Sequence, residues 1–252
     1  VSSVAGDRIA RGAIVEIHTW RPVAPVLLDG DFITLESEII GTGLHVNAAK
    51  GCRIDARIRD SNTFGLKLKD CLEIPPAVQV INPAGDGIIL DNCEKVPFNF
   101  NRITDAGGFT AVIKNNTAPI TVEVDDLENR GGGILLLNST NVMVIGEIHN
   151  CGGNAVTIDG GGSNTILNVY AWDNAGHGLE IINSSGNSVV QSAFGGNDCG
   201  VVIRGSGSKG NCLEDVAVGL KATNWLKHPT AHGNRSYGIH IRSGASANTV
   251  SE

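Results

Sequence analysis

The stretch "GHGLEIINSSGN", Gly176–Asn187, decides the fold. It opens on a small residue, runs through a short apolar alternation and closes in a turn of Asn, Ser and Gly. The chain writes the same phrase upstream as "GDGIILDNCEK" (Gly85–Lys95) and downstream as "CGVVIRGSGSKGN" (Cys199–Asn211). Aligning the small residue that opens each apolar piece gives Gly43, Gly65, Gly87, Ala111, Gly133, Ala155, Gly178, Gly200 and Gly238. The steps are 22, 22, 24, 22, 22, 23, 22 and 38 residues. Self-similarity at a period of this size marks a solenoid.

Residues 178–199 show what one unit holds. "GLEII" alternates with period two, "NSSGN" is turn chemistry, "SVVQSAF" alternates again and bends near its end, and "GGND" is a second turn. Period two puts alternate side chains on opposite faces. No unit has room for a crossover helix, so strands this short can only coil into a parallel β-helix, each rung about 4.8 Å from the last. Asn116, Asn141, Asn164, Asn187, Asn211 and Asn248 all precede the second strand. Stacked Asn side chains bond along a solenoid and tolerate left-handed turns. A leucine-rich repeat, the rival solenoid of similar period, needs a Leu/Asn consensus that is absent here.

Composition agrees. With 33 glycines, one Met and few aromatics in 252 residues, a helical bundle is disfavoured, since interior Gly costs roughly 1 kcal/mol per site. The formal charge of −7 and the lack of a basic stripe argue against a nucleic-acid partner. No run of 18 apolar residues exists, so no membrane span is expected. The first residues, "VSSVAGDRIARG", hold neither a signal-peptide core nor an initiator Met, which points to a processed or excised chain.

The phrase "nGIxl…ssxNxIxxnxixxN" resembles the right-handed parallel β-helix repeat of the pectin lyase-like superfamily, over about residues 24–252. That superfamily includes polysaccharide lyases, polygalacturonases, glycan epimerases, fructotransferases and phage tailspikes. The resemblance implies an all-β, right-handed parallel β-helix of about ten rungs. It implies that "SVVQ"-type pieces form the first sheet, the bend after them the second and "GLEII"-type pieces the third. It implies further a polysaccharide or oligosaccharide partner lying along the outer face of the first sheet, and an extracellular or virion-surface location. Residues 1–23 fall outside the period and are expected to form either an N-terminal cap, such as a short helix, or an irregular first strand. The closing "ANTVSE" starts a strand and stops, so either the natural chain continues or another subunit, as in a homotrimer, covers that edge.

The outward residues can be read directly. "CRIDARIR" buries Ile54, Ala56 and Ile58 and exposes Arg53, Asp55, Arg57 and Arg59. Stepping by the repeat from Arg57 gives Gln79, Asn101, Asp125, Glu147 and Tyr170, and the neighbouring column runs Asp55, Ala77, Asn99, Glu123 and Ile145. Glu123, Asp125 and Glu147 are therefore the candidate catalytic residues. Carboxyl groups one rung apart cannot all ionise freely, which favours a proton donor beside a carboxylate base or nucleophile. Such spacing suits glycosidic bond cleavage. Asn99, Asn101, Arg102, His149, Tyr170 and Trp225 are the candidate substrate-binding residues. Three readings stay open for the acidic row. It is a catalytic set, a solvated face, or a Ca²⁺ site made by Glu123, Asp125, Asp126 and Glu147; no other cofactor is expected.

Two function classes follow. One is a carbohydrate-active enzyme, a hydrolase or transferase in preference to a lyase or epimerase, because Arg53, Arg57 and Arg59 sit several rungs from the acids. The other is a trimeric tailspike or adhesin segment that binds surface glycans. The 38-residue step marks an insertion at about 219–234 that carries Trp225, His228 and His232 and is either a binding loop or a packing loop. "GHG" at 176–178 and "NDC" at 197–199 resemble polygalacturonase motifs. Their order is reversed and "RIK" is missing, so both are read as turns and no metal site is assigned. Cys71 and Cys93 stand one repeat apart, compatible with either a disulfide or a reduced stack.

Overall fold

The computed structural model describes residues 8–9, 12, 14–22, 24–97, 102–219 and 233–251. Among them there is no α-helix, and every strand pairs in parallel with the strands of neighbouring rungs. Each rung contributes a short strand and a longer one. The short strands, from Arg8–Ile9 through Leu44–Asn47 and Leu179–Ile182 to Tyr237–Arg242, build one eleven-stranded sheet. The longer ones build a five-stranded sheet, Ile14–Trp20 to Ile103–Thr104, and then a six-stranded sheet, Ile120–Leu127 to Thr249–Ser251. The chain is a parallel β-helix.

Register confirms the period and corrects one step. Leu44 pairs with Leu66 and Leu66 with Ile88, 22 residues apart. Ala111 pairs with Ile88, and so it is the first strand residue of its rung. The position equivalent to Gly87 is Thr110. The opening residue is small because the corner is crowded. A Cβ on Gly178 would lie 2.7 Å from Phe194 Cδ1 and 2.8 Å from the Gly200 carbonyl oxygen. The 38-residue step is an insertion into one rung, since Val201 pairs with Ile239. Residues 220–232, with Trp225, lie outside the described residues.

Of the two forms open to the first residues, the described ones take strands, with Arg8 beside Leu27 and Ile14 beside Thr34. One sequence expectation changes. The bend is not a separate second sheet. It lies inside a continuous strand, as in Thr165–Trp172 and Ser188–Gly195, whose ladder resumes on both sides of it. Asn168, Gln191 and Asp215 turn the chain there with φ of 50°, 49° and 52°.

The core is a stack of inward aliphatic rows, among them Leu28, Val46, Leu68, Leu90, Ile113, Leu136, Ile158, Ile181 and Ile203, all fully buried. Polar ladders hold the turns. After each short strand one residue takes the left-handed conformation, as do Asp70, Asn92, Asn115, Asn138 and Asn183. Asn and Asp adopt it most readily, and their side chains bond along the stack. Asn92 Nδ2 donates to Asp70 Oδ1 at 2.7 Å. Before the longer strand, Asn164, Asn187, Asn211 and Asn248 form the expected ladder. Asn116 instead belongs to a neighbouring column with Cys93 and Ser139, and Asn141 is exposed.

Asn187→Ala is the simplest test of this ladder. The Asn187 carboxamide accepts from Asn164 N and Nδ2 at 3.0 and 3.1 Å, and donates to Ser184 Oγ and Asn211 Oδ1 at 2.9 and 2.8 Å. Removing it leaves several buried groups unpaired, each costing roughly 1–3 kcal/mol. The expected loss is about 2–5 kcal/mol by urea unfolding. A loss below about 1 kcal/mol would show that the ladder does not hold the rungs.

All six cysteines are free thiols, so the reduced stack holds for Cys71 and Cys93. Their Sγ atoms donate to backbone carbonyls, Cys71 to Lys69 at 3.2 Å and Cys93 to Leu68 at 3.4 Å. Burial pushes the Cys151 thiol up to about 12, as suits an inert packing residue.

Candidate functional site

The longer strands place the predicted acids on one face of the solenoid. In Ile120–Leu127, Val122 and Val124 point into the core while Glu123 and Asp125 are exposed. In Val142–His149, Val142, Val144 and Ile148 are buried and Glu147 is partly exposed. Glu123 pairs with Ile145, as the stepping requires.

The rung of Glu147 differs from a regular ladder on both sides. Toward the preceding rung, Val124 pairs with Gly146 and Leu127 with Ile148, so Asp125 and Asp126 together oppose Glu147. Toward the following rung, Val144 pairs with Ile166 and Gly146 with Val169, so Leu167 and Asn168 together oppose Ile145. Extra residues of this kind are β-bulges, which re-aim side chains and gather beside active sites. Beyond the second bulge Glu147 pairs directly with Tyr170. Tyr170 is partly exposed and lines a cleft of about 30 Å³ with Gln191, Ser192, Ala193, Asp215 and Ala217.

The structure thus brings Asp125, Glu147 and Tyr170 into one row across three rungs, with Glu123 two residues from Asp125 on the same face. Arg102 is exposed and directly precedes Ile103, which pairs with Val80. The row from Gln79 therefore continues at Arg102, one residue later than the stepping to Asn101 expected. Asn99 and Asn101 lie outside the described residues. His149 is buried. Its ring stacks on Trp172 at 4.2 Å between centroids and 16° between planes, and its Nδ1 lies 3.1 Å from Glu128 Oε1.

A second cluster went unassigned in the sequence. His177, Asp198 and Cys199 bring one ligand atom each to within 4.8 Å of one another, and among the described residues they are the only such metal-ligand group. The two motifs read as separate turns are stacked on consecutive rungs, with the Gly178 amide donating to the Cys199 carbonyl at 2.9 Å. A usable signal was present: Cys199 stands one 22-residue period after His177. Reading the motifs by their order in the chain hid a relation that the solenoid makes through space.

A family model for the right-handed β-helix region matches residues 77–252. The chain belongs to that family. Comparison with curated proteins finds no match. Among solved structures, the chain resembles the periplasmic alginate epimerase AlgG at 13% identity and a TM-score of 0.51, over 93% of this chain and 77% of that one. The A-module of the Azotobacter vinelandii mannuronan C-5 epimerase AlgE4 aligns at 11% identity and a TM-score of 0.41, over 98% and 91%.

Proposed function

We propose that the chain is a carbohydrate-active enzyme that binds an extended polysaccharide along the outer face of the longer strands and acts on it at Glu147. The observation that carries this reading is the pair of bulges around the Glu147 rung, which sets Asp125 on one side of Glu147 and Tyr170 on the other. A surface that needed only charge for solubility would have no use for two departures from a regular ladder at one rung. The fold shared with AlgG, whose name identifies an alginate epimerase, supports a polysaccharide as the substrate class. It also supports action outside the cytoplasm.

Two reactions suit the row. In glycosidic cleavage, one carboxyl group protonates the bridging oxygen while a second, as carboxylate, attacks the anomeric carbon or takes the proton of an attacking water. In a uronate, a base can instead remove the proton α to the sugar carboxylate, and an acid on the other side can return one. The direct pairing of Glu147 with Tyr170, and Arg102 one rung before the acids, favour the second reaction where the substrate is a uronate.

The test is a panel of neutral and uronate polysaccharides incubated in deuterated water. New reducing ends identify hydrolysis, an unsaturated end identifies elimination, and deuterium at C5 without chain cleavage identifies epimerisation. Tyr170→Phe should suppress the last two by about 10²-fold or more and spare the first. A chelator arm separates the calcium reading, because activity unchanged after chelation leaves Glu123, Asp125 and Glu147 to act without a metal. Absence of turnover and of binding across the panel would overturn the proposal.

A further inference from the structure

We propose that His177, Asp198 and Cys199 form a binding site for a late first-row divalent cation, Zn²⁺ by its donor set, with one coordination position open to solvent. Imidazole nitrogen, carboxylate oxygen and thiolate sulfur are the three donors that zinc takes in four-coordinate protein sites. They converge here on two consecutive rungs, His177 and Asp198 from the turns between the longer and the short strands and Cys199 from the first position of the short strand Cys199–Arg204. The row of Asp125, Glu147 and Tyr170 stands on the longer strands themselves, so the two sites are separate.

The distances fit a metal better than a hydrogen bond. His177 Nδ1 is buried and has no hydrogen-bond partner. Its neighbour Asp198 Oδ2 stands at 3.6 Å, too far to accept a hydrogen bond. With metal–nitrogen and metal–oxygen bonds near 2.0 Å, a tetrahedral site has a nitrogen–oxygen edge of about 3.3 Å. A small side-chain rotation closes the difference. An unpaired buried ring nitrogen is otherwise destabilising, and a bound cation removes that cost.

The surroundings hold the donors in place. Ser236 Oγ donates to Asp198 Oδ1 at 2.7 Å, which leaves Oδ2 for the cation. The His177 amide donates to Asn154 Oδ1 at 2.8 Å, and the Asp198 amide donates to the Gly176 carbonyl at 2.8 Å. Such outer contacts orient ligands and raise affinity. Cys199 is buried, whereas the His177 and Asp198 side chains are 20% and 40% exposed. The cation therefore has a path in and keeps a position for water. On binding, the Cys199 thiol loses its proton to solvent. Thiolate and carboxylate then neutralise the two positive charges, and affinity rises with pH.

The experiment uses the full chain, stripped by chelator and titrated with Co²⁺ as a spectroscopic probe, followed by displacement with Zn²⁺. One Co²⁺ per chain is expected, with a thiolate-to-cobalt absorption band that Zn²⁺ abolishes. Cys199→Ser should remove the band, and His177→Ala should weaken binding by about 100-fold or more. Ser236→Ala, which keeps all three ligands, should weaken it by roughly 10–100-fold. No binding at tenfold excess cobalt would overturn the site. So would a band that survives in Cys199→Ser, or an unchanged affinity in folded His177→Ala. The polysaccharide panel does not enter this readout, so the two proposals fail separately.

Discussion

Glu147→Gln is expected to lower turnover of any accepted polysaccharide by about 10²–10⁴-fold, the usual contribution of a positioned acid or base. The melting temperature should move by no more than about 2 °C, because a surface isostere changes stability by only a few tenths of a kcal/mol. The amide has the size of the carboxyl group but can neither take a proton nor attack a sugar carbon. Glu147 is partly exposed at the centre of its row, with Asp125 on the preceding rung and Tyr170 on the following one. Asp125→Asn should produce a loss of the same order if the two carboxyl groups share one reaction. The double variant should then lose far less than the product of the single effects, as groups that act as a unit do. A solvated acidic face predicts the opposite, full turnover in both single variants with only a change in salt dependence. Turnover of Glu147→Gln equal to that of the parent would falsify the assignment.

What the sequence revealed and what it hid follow from the same geometry. Period-two alternation and the turn asparagines depend on backbone conformation alone, so they are visible in one dimension. Leu179 and Ile181 face inward as their spacing requires. Residue size at the corner was a weaker guide, because Thr110 occupies the place of a glycine and shifted the alignment by one residue. The bulges were not legible. "TVEVDDLEN" and "NVMVIGEIHN" look like equally long strands, and a one-residue difference between rungs is masked by turns of variable length. Stepping by the repeat, 22 residues from Glu123 to Ile145 and 23 from Glu147 to Tyr170, still reached the correct pairings. It could not show that Asp125 shares its place opposite Glu147 with Asp126. The cluster of His177, Asp198 and Cys199 was hidden for another reason. A solenoid joins residues one rung apart, and a motif search along the chain treats them as distant.

Gly146→Ala is expected to destabilise the protein by at least about 3 kcal/mol, a drop of roughly 6–12 °C in melting temperature, and to reduce activity in whatever fraction folds. Gly146 has φ of 118°, outside the left-handed basin that Asn168, Gln191 and Asp215 use at the bends of the following rungs. An L-residue is strained at that angle whatever space surrounds it. Space is missing as well, because a Cβ on Gly146 would overlap the carbonyl oxygen of Val124, its partner on the preceding rung. The obstacle is backbone and cannot rotate away. The rung must move off Val124 and carry Glu147 away from Asp125. Gln191→Gly, by contrast, meets no such obstacle and should cost within about 1 kcal/mol, the ordinary entropic penalty of glycine. The pair of variants separates a bend that glycine merely permits from one that requires it. An alanine variant as stable as the parent would mean that the bulge beside Glu147 is absent in solution, and with it the geometric reason for placing chemistry at this rung.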